Sequence, residues 1–242
     1  MKKALKWIGI VLGVLIVIAV AAVLILSEPL PEGEQGEAAD ALARRVEAAI
    51  NKEAWDSTRY VQWTFVGIHH YIWDKENHIV DVRWGDNRVL LNPNEISGKV
   101  WEDGQEVTGD AASKKVQQAW SFFANDSFWL NAPAKVFDPG TERRLVKIED
   151  GSEALLISYT SGGVTPGDSY LWLLDENDLP KAWKMWVKVV PIKGLENSWE
   201  GWTTLSTGAK IATAHSVVPV TITNLEAGQS LGELGLEEDM FE

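Results

Sequence analysis

The sequence predicts an α+β fold. It has one large curved antiparallel sheet, an open or half β-barrel of about ten or eleven strands, with two helices against it and one apolar helix ahead of it. Three observations carry this reading. The first 26 residues contain an uncharged run long enough to cross a bilayer. Most of the remainder alternates apolar and polar residues in short runs separated by turn residues. Only two later stretches have helical periodicity, and neither a fixed-period repeat nor a strand–helix–strand rhythm is present.

The apolar helix comes first. Lys2, Lys3 and Lys6 precede an uncharged run from Trp7 to Leu26. Such a helix rises about 1.5 Å per residue and spans roughly 30 Å, the thickness of a hydrocarbon core. A cleaved signal peptide would have an apolar region of about 7 to 15 residues ending in a small-x-small site. Ala19-Val20-Ala21 has that form, but Ala22 to Leu26 prolong the run, so the segment reads as an uncleaved anchor. Lysines stay on the cytoplasmic side. The expected location is therefore the inner (cytoplasmic) membrane, single-pass, with the C-terminal domain periplasmic or extracellular.

Residues 27–37, "SEPLPEGEQGE", read as an extended linker. Residues 38–225 form the extracytoplasmic open-barrel domain, and 226–242 an acidic, frayed tail with six acidic residues and no basic one. A first helix is predicted over 38–54, with Leu42, Val46, Ala49 and Ile50 on one face. A second is predicted over 110–124, with Asp110 as N-cap and Val116, Ala119, Trp120 and Phe123 on one face. The strands include Arg59 to Asp74, a hairpin around Gly85-Asp86-Asn87, and a second hairpin around Asp150-Gly151. "YLWLL", "KAWKMWVKVV", "WEGWTTLS", "AKIATAHS" and "VPVTITNL" complete the meander.

Composition narrows the function. Net charge is −13, and removing the three N-terminal lysines leaves 19 basic against 35 acidic residues, or −16. Such a domain does not bind nucleic acid and is repelled by anionic membrane surfaces. With no cysteine there is no disulfide, thiolate metal site or lipidated anchor. No cofactor is implied.

Local motifs for chemistry are absent. Gly162, Gly163 and Gly167 resemble a phosphate loop only in composition, because no Lys-Ser/Thr pair and no helix follow them. Thr165-Pro166-Gly167-Asp168 instead fits a type II turn. His70 and Asp74 share a strand face, and His215 on another strand could join them at a zinc ion. The spacing does not require it, and adjacent His69 and His70 must point to opposite faces. Asp138, Asp168, Asp175 and Glu176 fall at strand ends, where aspartate serves turns. No catalytic residue and no metal ligand is assigned.

The 13 tryptophans are the unusual feature. From Trp183 to Val189, one strand face carries Trp183, Met185, Val187 and Val189, and the other Lys184, Trp186 and Lys188. Trp63, Phe65, Trp172, Trp199 and Trp202 lie on neighbouring strands. On a curved sheet these rings converge on the concave side, where they either fill the interior or line a ligand cavity. The residues assigned to a ligand are Trp63, Phe65, Trp172, Trp183 and Met185.

The order of these elements, with "SGGVTPGDSYLWLLDENDLPKAWKMW" supplying a strand, a turn and a Leu-Leu-Asp-x-x-x-x-Leu-Pro hairpin, resembles the LolA/LolB-type lipoprotein carriers. The resemblance covers about residues 38–225. It implies an unclosed barrel lidded by helices, with a hydrophobic cavity for acyl chains or similar ligands. "WSFFANDSFWLNAPAKVFDPG" with "GGVTPGDSYLWL" is similar to strings of bacterial envelope proteins, which implies no activity. Carriers of that type are free or held by a lipidated cysteine, whereas a tethered chain receives, presents or senses its ligand. The expectation is a membrane-anchored binding protein for a lipid or other apolar molecule. The alternatives are an envelope structural or partner-binding module with a filled barrel, and a hydrolase using His70, Asp74, Asp168 or His215. A cavity above roughly 300 Å³ separates the first from the second.

Overall fold

The computed structural model describes residues 2–162 and 165–241. Helix α1, Lys2–Leu26, contains the segment Lys6–Leu26, long and apolar enough to cross a membrane and unburied by the rest of the chain. Helices α2 (Glu37–Ala49) and α3 (Lys52–Ser57) follow. The strands β1 (Tyr60–Phe65), β2 (His69–Asp74), β3 (Ile79–Trp84), β4 (Asn87–Asn92), β5 (Ser97–Glu102) and β6 (Gln105–Val107) then form a meander. Helix α4, Gly109–Asn131, leads to β7 (Thr141–Lys147), β8 (Glu153–Tyr159), β9 (Ser169–Leu174), β10 (Pro180–Trp186) and β11 (Leu195–Ser198). Short strands β12 (Thr203–Thr204), β13 (Lys210–Ile211) and β14 (Ala214–His215) precede β15 (Val220–Gly228).

These strands make an open antiparallel sheet of eight, ordered β14-β15-β1-β2-β3-β4-β5-β6, and a second of five, ordered β11-β10-β9-β8-β7. Strands β12 and β13 form a separate ribbon, which takes the total among the described residues above the ten or eleven expected. The sheets meet where β11 reaches the β14–β15 turn. There Asn197 is fully buried, and its Oδ1 accepts from the backbone N–H groups of Val217 (2.7 Å) and Val218 (2.9 Å) while its Nδ2 donates to the Val218 carbonyl (3.2 Å).

The helix expected over 38–54 is two helices. Asn51 takes a left-handed conformation (φ 55°), which asparagine tolerates, and its side chain donates to the Gly208 carbonyl at 3.0 Å. Helix α2 buries Ala39, Leu42, Ala43 and Val46 in the same cluster as Trp172 and Trp183 on the five-stranded sheet. Helix α4 runs past the expected end at Ala124 to Asn131. Its first half buries Val116, Ala119 and Phe123 with the eight-stranded sheet, and Phe128 and Trp129 extend the contact to the second sheet.

Both ends of the domain are more ordered than composition suggests. Within the linker, Glu34 exchanges backbone hydrogen bonds of 2.9 and 2.8 Å with Leu145. The tail is not frayed over its described part. Leu231 and Leu234 are buried against Tyr60, with Leu236, Met240 and Phe241 packed on them, and Arg88 donates to the Met240 carbonyl at 2.6 Å. Five apolar side chains among the acidic ones supply a packing face that the charge pattern hid.

Strands β4 and β5 approach tightly opposite Leu91. A Cβ added at Gly98 would stand 2.2 Å from the Leu90 carbonyl oxygen, which is backbone and cannot step aside. Gly98→Ala is expected to cost about 1–3 kcal/mol, read by denaturant titration; a neutral result would contradict this register.

Candidate functional site

Between α4 and the five-stranded sheet lies a cavity of about 800 Å³. Helix α4 contributes Trp120, Phe123, Phe128 and Trp129. The small sheet contributes Tyr159, Tyr170, Trp183 and Met185, continued by Val187, and the large sheet adds Phe65 and Val220. These are inward positions of alternating strands and the apolar stripe of one helix, so the wall is mostly hydrocarbon and aromatic ring. The exposed lining residues Asn94, Asn125, Ser161, Gly162 and Val189 mark the mouth.

Of the five residues assigned from sequence, Phe65, Trp183 and Met185 line this cavity. Trp63 and Trp172 do not. Trp63 is buried in the core of the large sheet, stacked on Tyr71 at 4.5 Å, and Trp172 is fully buried behind Trp183. The concave side therefore does not gather all the rings into one place. Phe65 and Trp63 belong to one apolar cluster, and Trp172, Trp183 and Met185 to another. Val189 reaches the cavity mouth from outside the strand. Strand β10 ends at Trp186, and Val189 is 76% exposed on the following loop.

The wall beside Trp183 is built of tilted rings. Trp129, Trp172 and Trp199 each lie 4.9–5.0 Å from it, Tyr170 lies 4.6 Å away, and the indole N–H groups of Trp172, Trp183 and Trp199 have no oxygen or nitrogen partner among the described residues. Burial raises the hydroxyl pKa of Tyr159 and, with help from the Asp168 charge, that of Tyr170, so both are neutral hydroxyls in the wall.

The titratable candidates are dispersed. His70, on the outer face, bonds Thr64 Oγ1 at 2.9 Å, and Asp74 is buried, caps Asn77 and sits 3.6 Å from Arg59. His215 is on the inner side, 4.6 Å from Trp199, with Nδ1 2.7 Å from the Ser198 carbonyl. That contact makes Nδ1 the protonated nitrogen, and burial lowers the His215 pKa. Among the described residues no three His, Cys, Asp or Glu side chains are grouped to hold a metal. Asp168 accepts from Lys188 N at 2.9 Å and from Thr165 Oγ1, and Asp175 accepts from Asn177 and Leu179 backbone N–H, so both hold turns. Asp138 pairs with Lys135 at 3.5 Å, and Glu176 is exposed.

The glycine loop is the β8–β9 connection. Gly167 has φ +99° at the third position of the expected turn, and Gly162 has φ +80° at the cavity mouth; Gly163 lies outside the described residues. One cluster escaped sequence reasoning. Asp126, 2% exposed, accepts from Tyr71 Oη at 2.6 Å and lies 2.7 Å from His69 Nδ1, whose ring stacks on Phe122 at 4.0 Å. Its signal was the helical spacing of Phe122, Phe123, Asp126 and Leu130, lost when the helix was ended at Ala124.

No family model and no curated protein matches the sequence. Among solved structures, a DUF1329 family protein from Desulfovibrio piger is similar, at 12% identity over 86% of this chain and 98% of that one, with a TM-score of 0.42.

Proposed function

We propose that the domain binds a lipid acyl chain or a comparable apolar ligand in the cavity beneath α4, while α1 holds it to the cytoplasmic membrane with the domain on the outer side. The observation that carries this is the cavity itself. Its roughly 800 Å³ falls in the usual range for small-molecule sites, which favours a lined interior over a filled one. The wall offers rings, a thioether and aliphatic side chains, with neutral tyrosine hydroxyls for a polar end. This is the ligand class that the resemblance to lipoprotein carriers implies. The tether argues for receiving or presenting the ligand over ferrying it. No catalytic role is assigned, since His70 and Asp74 lie on the opposite side of the large sheet from His215.

The test is displacement of a fluorescent fatty acid from the purified full chain, together with mass spectrometry of what co-purifies. Saturable displacement is expected; no saturable signal and no bound lipid would sink the reading. Ala124 lines the cavity from α4. Ala124→Phe fills part of it and is expected to weaken binding about tenfold or more without lowering Tm.

A further inference from the structure

The chain leaves α1 at Leu26 and is pinned at once. Glu28 N donates to the Lys193 carbonyl at 2.8 Å, Lys193 N donates to Ser27 Oγ at 3.1 Å, and Trp186 Nε1 donates to the Glu28 carbonyl at 2.9 Å. The Glu28 carboxylate receives Lys184 Nζ at 2.8 and 2.9 Å, and a Cβ at Gly194 would stand 2.9 Å from that of Glu28, so only glycine admits so close an approach. The juxtamembrane residues are thus seated on the base of the 187–193 loop. An extended chain covers about 7 Å in two residues, so the end of the apolar helix lies close to that base.

The same loop forms one side of the cavity mouth, through Val187, Val189 and Val190. Its composition departs from the rest of the chain. From Lys181 to Leu195 there are four lysines and no acidic residue, in a sequence with 35 acidic residues. Lys188 and Lys193 reach only backbone carbonyls, of Pro166, Val187 and Val190, so their charge is not neutralised. Val189 is 76% exposed between them, with Pro191 exposed and Trp186 half-buried beside it. Exposed aliphatics, a tryptophan and uncompensated lysines make the composition of a bilayer interface, where apolar groups enter the glycerol level and ammonium groups meet phosphate.

We infer that the 187–193 loop contacts the phospholipid bilayer in which α1 is anchored, and that docking of Ser27 and Glu28 on this loop seats the cavity mouth against that bilayer. The inference rests on the anchored, lipid-binding reading and deepens it by naming the source of the ligand, the adjacent leaflet. The repulsion expected of a −16 domain is met by local contact: the docked linker presents first a stretch with four lysines and no acidic residue.

The chain has no cysteine, so single-cysteine variants of the full chain report cleanly. Pro191→Cys places an environment-sensitive fluorophore on the loop without lining the cavity. Glu176→Cys places it in the β9–β10 turn, at the far end of the same hairpin. In phosphatidylcholine vesicles containing lipid spin-labelled near the glycerol, the position-191 signal is expected to be quenched severalfold more than the position-176 signal. Lys184→Ala with Trp186→Leu, which removes both side chains holding Glu28, is expected to bring 191 down toward 176. Equal quenching at the two positions, failure of the chain to enter vesicles, or an unchanged difference in the double variant overturns the inference. Bound lipid is scored separately by mass spectrometry on the same preparation. Lipid retained with equal quenching overturns this inference and leaves the binding reading standing; selective quenching without retained lipid supports the seated mouth and ends the binding reading.

Discussion

Trp183→Ala is expected to destabilise the domain by about 3–5 kcal/mol and to lower Tm by roughly 10 °C. Its side chain is fully buried, and five aromatic rings stand within 6 Å of it, from Phe128 at 5.7 Å to Tyr170 at 4.6 Å. Those rings come from α4, β9 and the segment after β11, so the space left behind cannot close by moving one side chain. The void also merges with the cavity beneath α4, so on the proposed binding reading a larger apolar probe should gain affinity as stability falls. Trp183→Phe should cost markedly less, because it keeps a ring and removes a buried N–H that has no polar partner. Thermal melting of both variants decides the matter. A loss under about 1 kcal/mol for the alanine variant would mean that the ring is not packed as described.

The second large effect is expected at Asn197. Asn197→Ala removes three hydrogen bonds made from a fully buried side chain and takes the acceptor from the N–H groups of Val217 and Val218. The expected loss is about 3 kcal/mol, with hydrogen exchange accelerated at 216–218 before the rest of the domain. Asn197→Asp keeps the acceptor but brings a buried charge against the Val218 carbonyl, and it should be no milder than alanine. If exchange at 217 and 218 is unchanged in the alanine variant, the junction between the sheets is held elsewhere.

Local chemistry was readable in the sequence. The Asp150-Gly151 and Gly85-Asp86 turns close β7–β8 and β3–β4, and Leu174 to Pro180 makes the β9–β10 hairpin, because each is decided by a few adjacent residues. Alternation placed Trp63 and Phe65 on one face of β1, and Trp183 and Met185 on one face of β10. What could not be read was which strands are distant neighbours. The eight-stranded sheet is completed by β15 returning to β1, a pairing that no local pattern encodes. The rings of β1 and β10 pack in two clusters, and only Phe65 and Trp183 face the same cavity. Val189 was misplaced because the strand period was carried past Trp186, where the chain turns toward Lys193. The Asp126 cluster was missed because a polar residue on a buried helix stripe reads as the end of the stripe.

Strand β1 pairs with β15 from Tyr60↔Gly228 to Phe65↔Ile222, a contact across most of the chain that follows α1. Loop-closure entropy must be met before this pairing can contribute, so it belongs to the late steps of folding. Until then β1 has an open edge, and its core-facing Val61, Trp63 and Phe65 flank a row of unpaired backbone groups, the arrangement that invites a wrong strand. A chain made N-terminus first carries this edge uncovered until its last residues have been synthesised. Strand β15 and the Leu231–Phe241 segment that packs behind Tyr60 are therefore the closure on which escape from aggregation depends. Chains cut short before Val220 should be lost to misassembly long before loss of the cavity is felt.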